Sequence, residues 1–428
     1  MTFRDETEYV EPGNAEPPLL MREPRDRKPE EERSVVSSIL GLAAIVGLFA
    51  WLWIGAGFSY FTIVVGLVVM IFLHELGHYL TARWSGMKVT QFFLFFGPRI
   101  FSFHRNGVEY GVRSIPAGAF VRIVGMSNLD ECAPEDEPYA YRNSTYPRRM
   151  WVITAGSMMH FLQALVLFVL LAVVVGTADR DGGWEIRQLS EATAGQTVPS
   201  VEAGLQPGDR IVEVDGQDTS KYQDLVDYVR DNPGEKIDLI VERDGQRFEP
   251  EATLAEVNSG GKVIGQLGVT PTYDVIDRNP VNGVVLFGEV FWGSLEGLAQ
   301  LPVAVVKSVP LLFEGGEDVS INSTEAQERP ISMVGVVRIG GQQEGGWSSQ
   351  LFLLGLINVF VGIFNLVPLL PFDGGHAAIA TYERIRSRNG RRYQADMAKA
   401  IPLLYGTALF LAVMMVSGVW LDIVRPIG

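Results

Sequence analysis

Residues 58–82 form an apolar run long enough to cross a bilayer as a helix, and His74-Glu75-Leu76-Gly77-His78 lies inside it. A backbone in lipid must satisfy its own amides, which leaves a helix as the fold for a single such run. Histidines four apart on a helix stand one above the other on one face. Two imidazoles so placed can share one zinc, and the glutamate between them can act as general base on a water. The competing reading is a pair of satisfied histidines on a buried helix. It leaves the carboxylate of Glu75 unexplained in an apolar span, where ionisable groups are costly.

Four further stretches qualify as spans, at 34–57, 150–178, 349–376 and 401–424, which makes five with 58–87. The first ends in Trp51-Leu52-Trp53, an interfacial aromatic signal. Residues 281–313 are also apolar but carry Glu289, Glu296 and Lys307, with Pro302 inside. They read as an amphipathic helix on the membrane surface rather than as a span. Basic residues cluster before the first span, in 83–149 (Arg83, Lys88, Arg99, Arg148 and Arg149 among them) and after the fourth span (Arg384 to Lys399). The positive-inside rule makes those three regions cytoplasmic, with the N-terminus, and leaves 177–349 outside. A sixth span would reverse the last basic loop, so parity favours five. The expected place is the plasma membrane, crossed several times.

Residues 1–33 are charged, contain prolines and lack apolar periodicity, and they read as a disordered cytoplasmic tail rather than a cleaved signal peptide. The formal net charge of -15 argues against a nucleic-acid partner. A single cysteine, Cys132, excludes an intrachain disulfide framework.

Two segments differ from the spans. In 88–149, the runs 90–97, 99–104 and 108–113 are strand-like, and Asn106-Gly107 is a hairpin signal. Their aromatic content suits a small sheet that dips into the cytoplasmic face of the membrane near the histidine motif. Residues 183–272 read as an extracytoplasmic α+β domain. Pro199 to Gly216, with Gly204-Leu205-Gln206-Pro207-Gly208-Asp209 at its centre, resembles the PDZ pattern, followed by a helix at 221–230 and a strand at 237–243. PDZ folds capture extended peptides by strand addition, and a plain structural spacer is the alternative. The expected fold is therefore a multi-span α-helical membrane protein with an inserted PDZ domain and a membrane-associated β-hairpin sheet.

A catalytic zinc needs a third protein ligand and an open position. Asp373 is the candidate, in Asn365-Leu366-Val367-Pro368-Leu369-Leu370-Pro371-Phe372-Asp373-Gly374-Gly375-His376. The two prolines interrupt the fourth span and free the chain to bend. The second and fourth spans both run from outside to inside, so His74, His78 and Asp373 reach similar depth.

These residues together resemble the site-2 protease family of intramembrane zinc metalloproteases, in particular the bacterial type with one PDZ domain. The likeness covers most of the chain from about residue 60 to 425 and rests on the two motifs, the Ile115-Pro116-Ala117-Gly118 hairpin and the PDZ segment in that order. It implies that His74, His78 and Asp373 bind Zn2+, that Glu75 activates the water and that Asn365 helps to position substrate. It implies regulated intramembrane proteolysis of single-span membrane proteins, such as anti-sigma factors, already trimmed by an upstream site-1-type protease. One departure is His160, in Ala155-Gly156-Ser157-Met158-Met159-His160, where the family often has asparagine. A satisfied helix residue is the favoured reading of His160. His376 reads either as a helix-start residue or as a neighbour that supports the ligands. A silent membrane scaffold and a zinc transporter are the competing classes. Neither fits well, since a scaffold has no use for Glu75 and the other spans are nearly bare of metal-binding side chains.

Overall fold

The computed structural model describes residues 35–126, 128–130, 132–178, 183–190, 198–259, 262–273, 276–308, 332, 335–338, 346–387 and 393–424. The tail at 1–33 lies outside the described residues. The apolar runs form helices: α1 (Val35–Trp51), α2 (Phe58–Trp84), α3 (Tyr146–Val174), then α6 (Pro280–Ser308), α7 (Gly346–Asn365) and α9 (Ile401–Val424). Among the described residues, six helices are long and apolar enough to cross a membrane, judged by length and composition.

α2, α3 and α7 pack as a three-helix core. Thr62 Oγ1 donates to Gln350 Oε1 at 2.8 Å near the start of both α2 and α7, so those two helices begin at the same end. α3 runs against them: Gly355, early in α7, meets Phe168 near the end of α3, while Gly362 meets Phe161 one helical stretch earlier. Small residues at such crossings let backbones approach closely where lipid offers no hydrophobic drive to associate. Gly77 does this on α2, where a Cβ would stand 2.6 Å from Met159 Cγ and 2.9 Å from the Ala155 carbonyl.

The expected surface helix is α6, and the structure places it differently. Gly283 lies against the backbone of Phe168 and Val169, and Phe287 and Phe291 pack on Phe161, with ring centroids 6.5 and 5.6 Å away. α6 therefore lies along α3 and antiparallel to it, and Glu289 and Glu296 are exposed. The direction of α7 is set by its packing on α2 and α3.

Between α2 and α3 lie two long strands, β1 (Val89–Arg105) and β2 (Val108–Ile123). The turn is the expected one, with positive φ at both Asn106 and Gly107. The pairing is richer than three simple strands. Residues 99–105 pair with 108–113, while 91–94 pair with 109–112 on one side and 119–122 on the other. Both strands bend, at Phe95, Gly97 and Gly118, all with positive φ, so two strands make a sheet four segments wide. Its outer segment is 119–123. α1 packs against the far part of this sheet, with Gly41 facing Ile100 and Ser114.

The segment after α3 is an α+β unit. Its elements in order are β3 (Thr177–Ala178), β4 (Trp184–Leu189), helix α4 (Pro199–Glu202), β5 (Arg210–Val214), β6 (Gln217–Asp218), helix α5 (Tyr222–Asp231), β7 (Lys236–Arg243), β8 (Gln246–Phe248), β9 (Glu251–Thr253), β10 (Ala255–Ser259), β11 (Lys262–Gln266), β12 (Val269–Tyr273) and β13 (Ile276–Asp277). Trp184, Ile186, Ile211, Val214, Leu225, Leu239 and Val241 form its core. The sequence-predicted helix and strands are present to within a residue. Asp209 is fully buried and takes a two-pronged bond from Arg243 at 2.6 and 2.7 Å.

Candidate metal centre

α2 carries the histidines because its apolar residues, Ile63, Leu67 and Met70, bury against α7 one to three turns before them. His78 sits in the α2–α3 contact, and its Nδ1 donates to the Val152 carbonyl at 2.8 Å. That bond assigns the Nδ1 proton and leaves the lone pair on Nε2. Gly156 stands opposite both rings. A Cβ there would fall 2.5 Å from His78 Nε2 and 2.7 Å from His74 Nδ1, so only glycine leaves room for the pair.

The third group arrives from the other end of α7. The helix stops at Asn365, the Leu366–Phe372 turn follows, and helix α8 (Asp373–Arg386) starts with Asp373 as its first residue. A Cβ on Gly374 would collide with the carbonyls of Leu366 and Val367, and one on Gly375 would press on Leu369 and Leu370. The paired glycines thus let α8 start hard against the turn. α8 is fastened to α3 by Arg149, whose Nη1 donates to Glu383 Oε2 at 2.6 Å within a buried contact, and by Tyr146 with Thr381 at 3.2 Å.

The outcome is a triangle of donor atoms. His74 Nε2 and His78 Nε2 are 3.1 Å apart, and Asp373 Oδ2 is 3.5 Å from the first and 3.3 Å from the second. Asp373 Oδ2 is buried and accepts no hydrogen bond. Donors held tetrahedrally about 2.0–2.2 Å from a zinc lie about 3.3–3.5 Å apart, so the three atoms match one face of such a site. Glu75 is aimed by an element that sequence reasoning did not connect to it: the Val121 amide donates to Glu75 Oε2 at 3.1 Å. This amide points away from β1, from the free side of the 119–123 segment.

Asn365 is half-buried at the last turn of α7. His376, one turn beyond Asp373, lines a small cavity with Tyr141, Arg149 and Glu383. His160 is buried and bonded, with Nδ1 3.0 Å from Asn358 Oδ1, yet its ring also lies 4.9 Å from the ring of His74. Gly156, Val121 and Asn358 carry no local signal that would have tied them to the histidine motif, since only the packing of α2 on α3, β2 and α7 does so.

The profile of Peptidase family M50 matches residues 62–411. The chain belongs to peptidase family M50, the site-2 protease type. Zinc metalloprotease Rip1 of Mycolicibacterium smegmatis is 33% identical over 415 residues, covering 87% of this chain and 98% of that protein. Zinc metalloprotease Rip1 of Mycobacterium tuberculosis is 31% identical over 398 residues, covering 84% and 96%. Among solved structures, the PDZ domain of the SdrC-like protein from Listeria monocytogenes matches at 20% identity over 21% of this chain and 87% of that one, with a TM-score of 0.18. The family and its apolar helices make this chain a multi-pass membrane peptidase.

Proposed function

We propose that this zinc metalloprotease cuts single-span membrane proteins within or beside the bilayer, after another protease has shortened them outside. The observation that carries the reading is the triangle of His74, His78 and Asp373 donors at membrane depth, with Glu75 beside it. His74, His78 and Asp373 would hold the zinc. When bound, the ion supplies Lewis-acid activation of water and polarises the scissile carbonyl. Glu75 takes the proton of the attacking water and delivers it to the leaving amine. Val121 N–H holds the carboxylate in one orientation for both transfers. Asn365 is assigned to positioning the substrate chain.

A helical substrate has its carbonyls occupied and must unwind before attack. The outer side of the 119–123 segment is a sheet edge beside Glu75, and its main-chain groups other than the Val121 amide suit capture of an unwound strand by pairing. Residues 183–272 are read as a PDZ domain outside the membrane, with the N-terminus and 83–149 on the cytoplasmic side. Its role in substrate choice is read as exclusion of bulk. The edge of β12 beside α5 presents Pro271, which has no N–H, and the Val269 carbonyl there already accepts the Tyr222 hydroxyl at 3.1 Å. Both features work against strand addition at that edge. Membrane-bound anti-sigma factors fit the proposed substrate class.

The test compares membrane proteomes from cells with the active enzyme and with Glu75→Gln. Trimmed single-span proteins should accumulate only with the variant. On a reconstituted substrate, Glu75→Gln should keep its zinc and lose cleavage by about a hundredfold or more. Cleavage at the wild-type rate would assign the base to another residue.

A further inference from the structure

The two histidines of the motif are held in different ways. His78 has the Val152 carbonyl on Nδ1. His74 has no bond of that quality: its Nδ1 is buried beside the Gly156 backbone, with no partner in hydrogen-bond geometry. An imidazole's second torsion is broad, so a ligand ring that lacks a bond on its far nitrogen keeps its orientation only by packing. Besides the His78 ring on its own helix, 4.7 Å away, two groups on α3 pack on His74. One is Gly156, on which nothing larger fits. The other is the ring of His160, 4.9 Å away and tilted by 42°.

His160 is itself fixed. Asn358 Nδ2 donates to the Leu354 carbonyl at 2.8 Å, which turns its Oδ1 toward His160 Nδ1, 3.0 Å away. The acceptor dictates that Nδ1 carries the proton. One turn further along α7, Gly362 leaves a space that a Cβ would narrow to 3.1 Å from His160 Cβ. Asn358 and Gly362 lie on one face of α7 and together make the seat for this ring.

We propose that His160, seated by Asn358, is a positioning residue that holds the ring of His74 in its metal-binding orientation. The inference rests on the reading of His74 as a zinc ligand. It gives α7 two tasks at the centre: it delivers Asp373 from its far end and buttresses His74 from its side.

The test uses the full-length enzyme in detergent, with zinc retention against a chelator and the visible spectrum of the cobalt-substituted protein as readouts. His160→Ala should weaken metal affinity by about 10–100-fold and alter the cobalt bands. The double variant His160→Phe/Asn358→Leu replaces both polar partners by apolar groups and keeps a ring against His74. It should fold, hold zinc close to wild type and leave the cobalt bands in place. Wild-type affinity and spectrum in His160→Ala would overturn the proposal. So would a double variant that folds, by circular dichroism, and loses zinc as severely as His160→Ala. If His160→Ala does not fold, the double variant decides alone. Unchanged zinc content in His74→Ala would instead strike the underlying ligand assignment, and it is measured in the same assay.

Discussion

At the scale of single residues, the centre depends on groups with no chemistry of their own. Gly156 is the clearest case, because any side chain there enters the space of both imidazoles. Gly156→Ala should leave the helix content intact and lower bound zinc well below one per chain, as measured by metal analysis of the purified protein. A fully zinc-loaded Gly156→Ala would mean that α3 can retreat from α2 without disturbing the ligands. His74, Glu75 and His78 were legible as candidates from type and spacing, and Asp373 from its proline–glycine motif and matched depth, because metal and acid–base chemistry demand those side chains. Gly156, Asn358 and Val121 were not, because their contribution is space, a carbonyl and an amide, which many residues offer.

At the scale of elements, the outer segment of β2 is the part whose role changed most between sequence and structure. The sequence shows strand-like runs, and the structure folds two strands into four segments so that one edge meets Glu75. Val121→Pro removes the amide that orients Glu75 but no hydrogen bond to β1, since that amide points outward. It should lower kcat with zinc retained, while Val121→Ala cleaves normally; equal rates for the two would free Glu75 from this contact. The loop between β2 and α3 makes a second prediction. Arg142 donates to Glu137 at 2.9 and 2.5 Å and holds its carboxyl at about 2, below the ordinary 4.5. A folded-state value below the unfolded one stabilises the fold above the unfolded value, and that contribution is lost as pH falls toward 2. Glu137→Gln should therefore melt below the wild type at neutral pH and approach it near pH 3. A gap that stays constant with pH would contradict the assignment. The pair is only partly buried, so salt should narrow the gap as well.

At the scale of the whole molecule, the parallel course of α2 and α7 sets everything else. Thr62 meets Gln350 at one end of the pair, and His74 and His78 meet Asp373 at the other. The topology we propose puts the first contact toward the outside and the second toward the cytoplasm. A cysteine at Ser220 in a variant whose Cys132 is replaced should then react with an impermeant maleimide from outside the cell only. Labelling from the cytoplasmic side alone would invert the arrangement. Replacement of 183–272 by an unrelated domain of similar size should preserve the preference for trimmed substrates, because the proposed role requires bulk, not peptide capture. Loss of that preference would give the domain a reading role.

The apolar helices, the α+β insert, the candidate metal ligands and the family resemblance could all be read from the chain before it folds. Each of these is written in local composition or short spacing: about twenty apolar residues for a span, four residues between histidines, prolines and glycines where a helix must stop. The remaining features arise from packing. Whether α6 lies apart or along α3 depends on Gly283, Phe287 and Phe291 finding a partner face, and an apolar helix of that length does not declare its partner. The width of the hairpin sheet depends on bends at Phe95, Gly97 and Gly118, which alter pairing far along the chain. The seat of His160 and the amide on Glu75 arise where residues distant in sequence meet, and no local pattern carries such a contact.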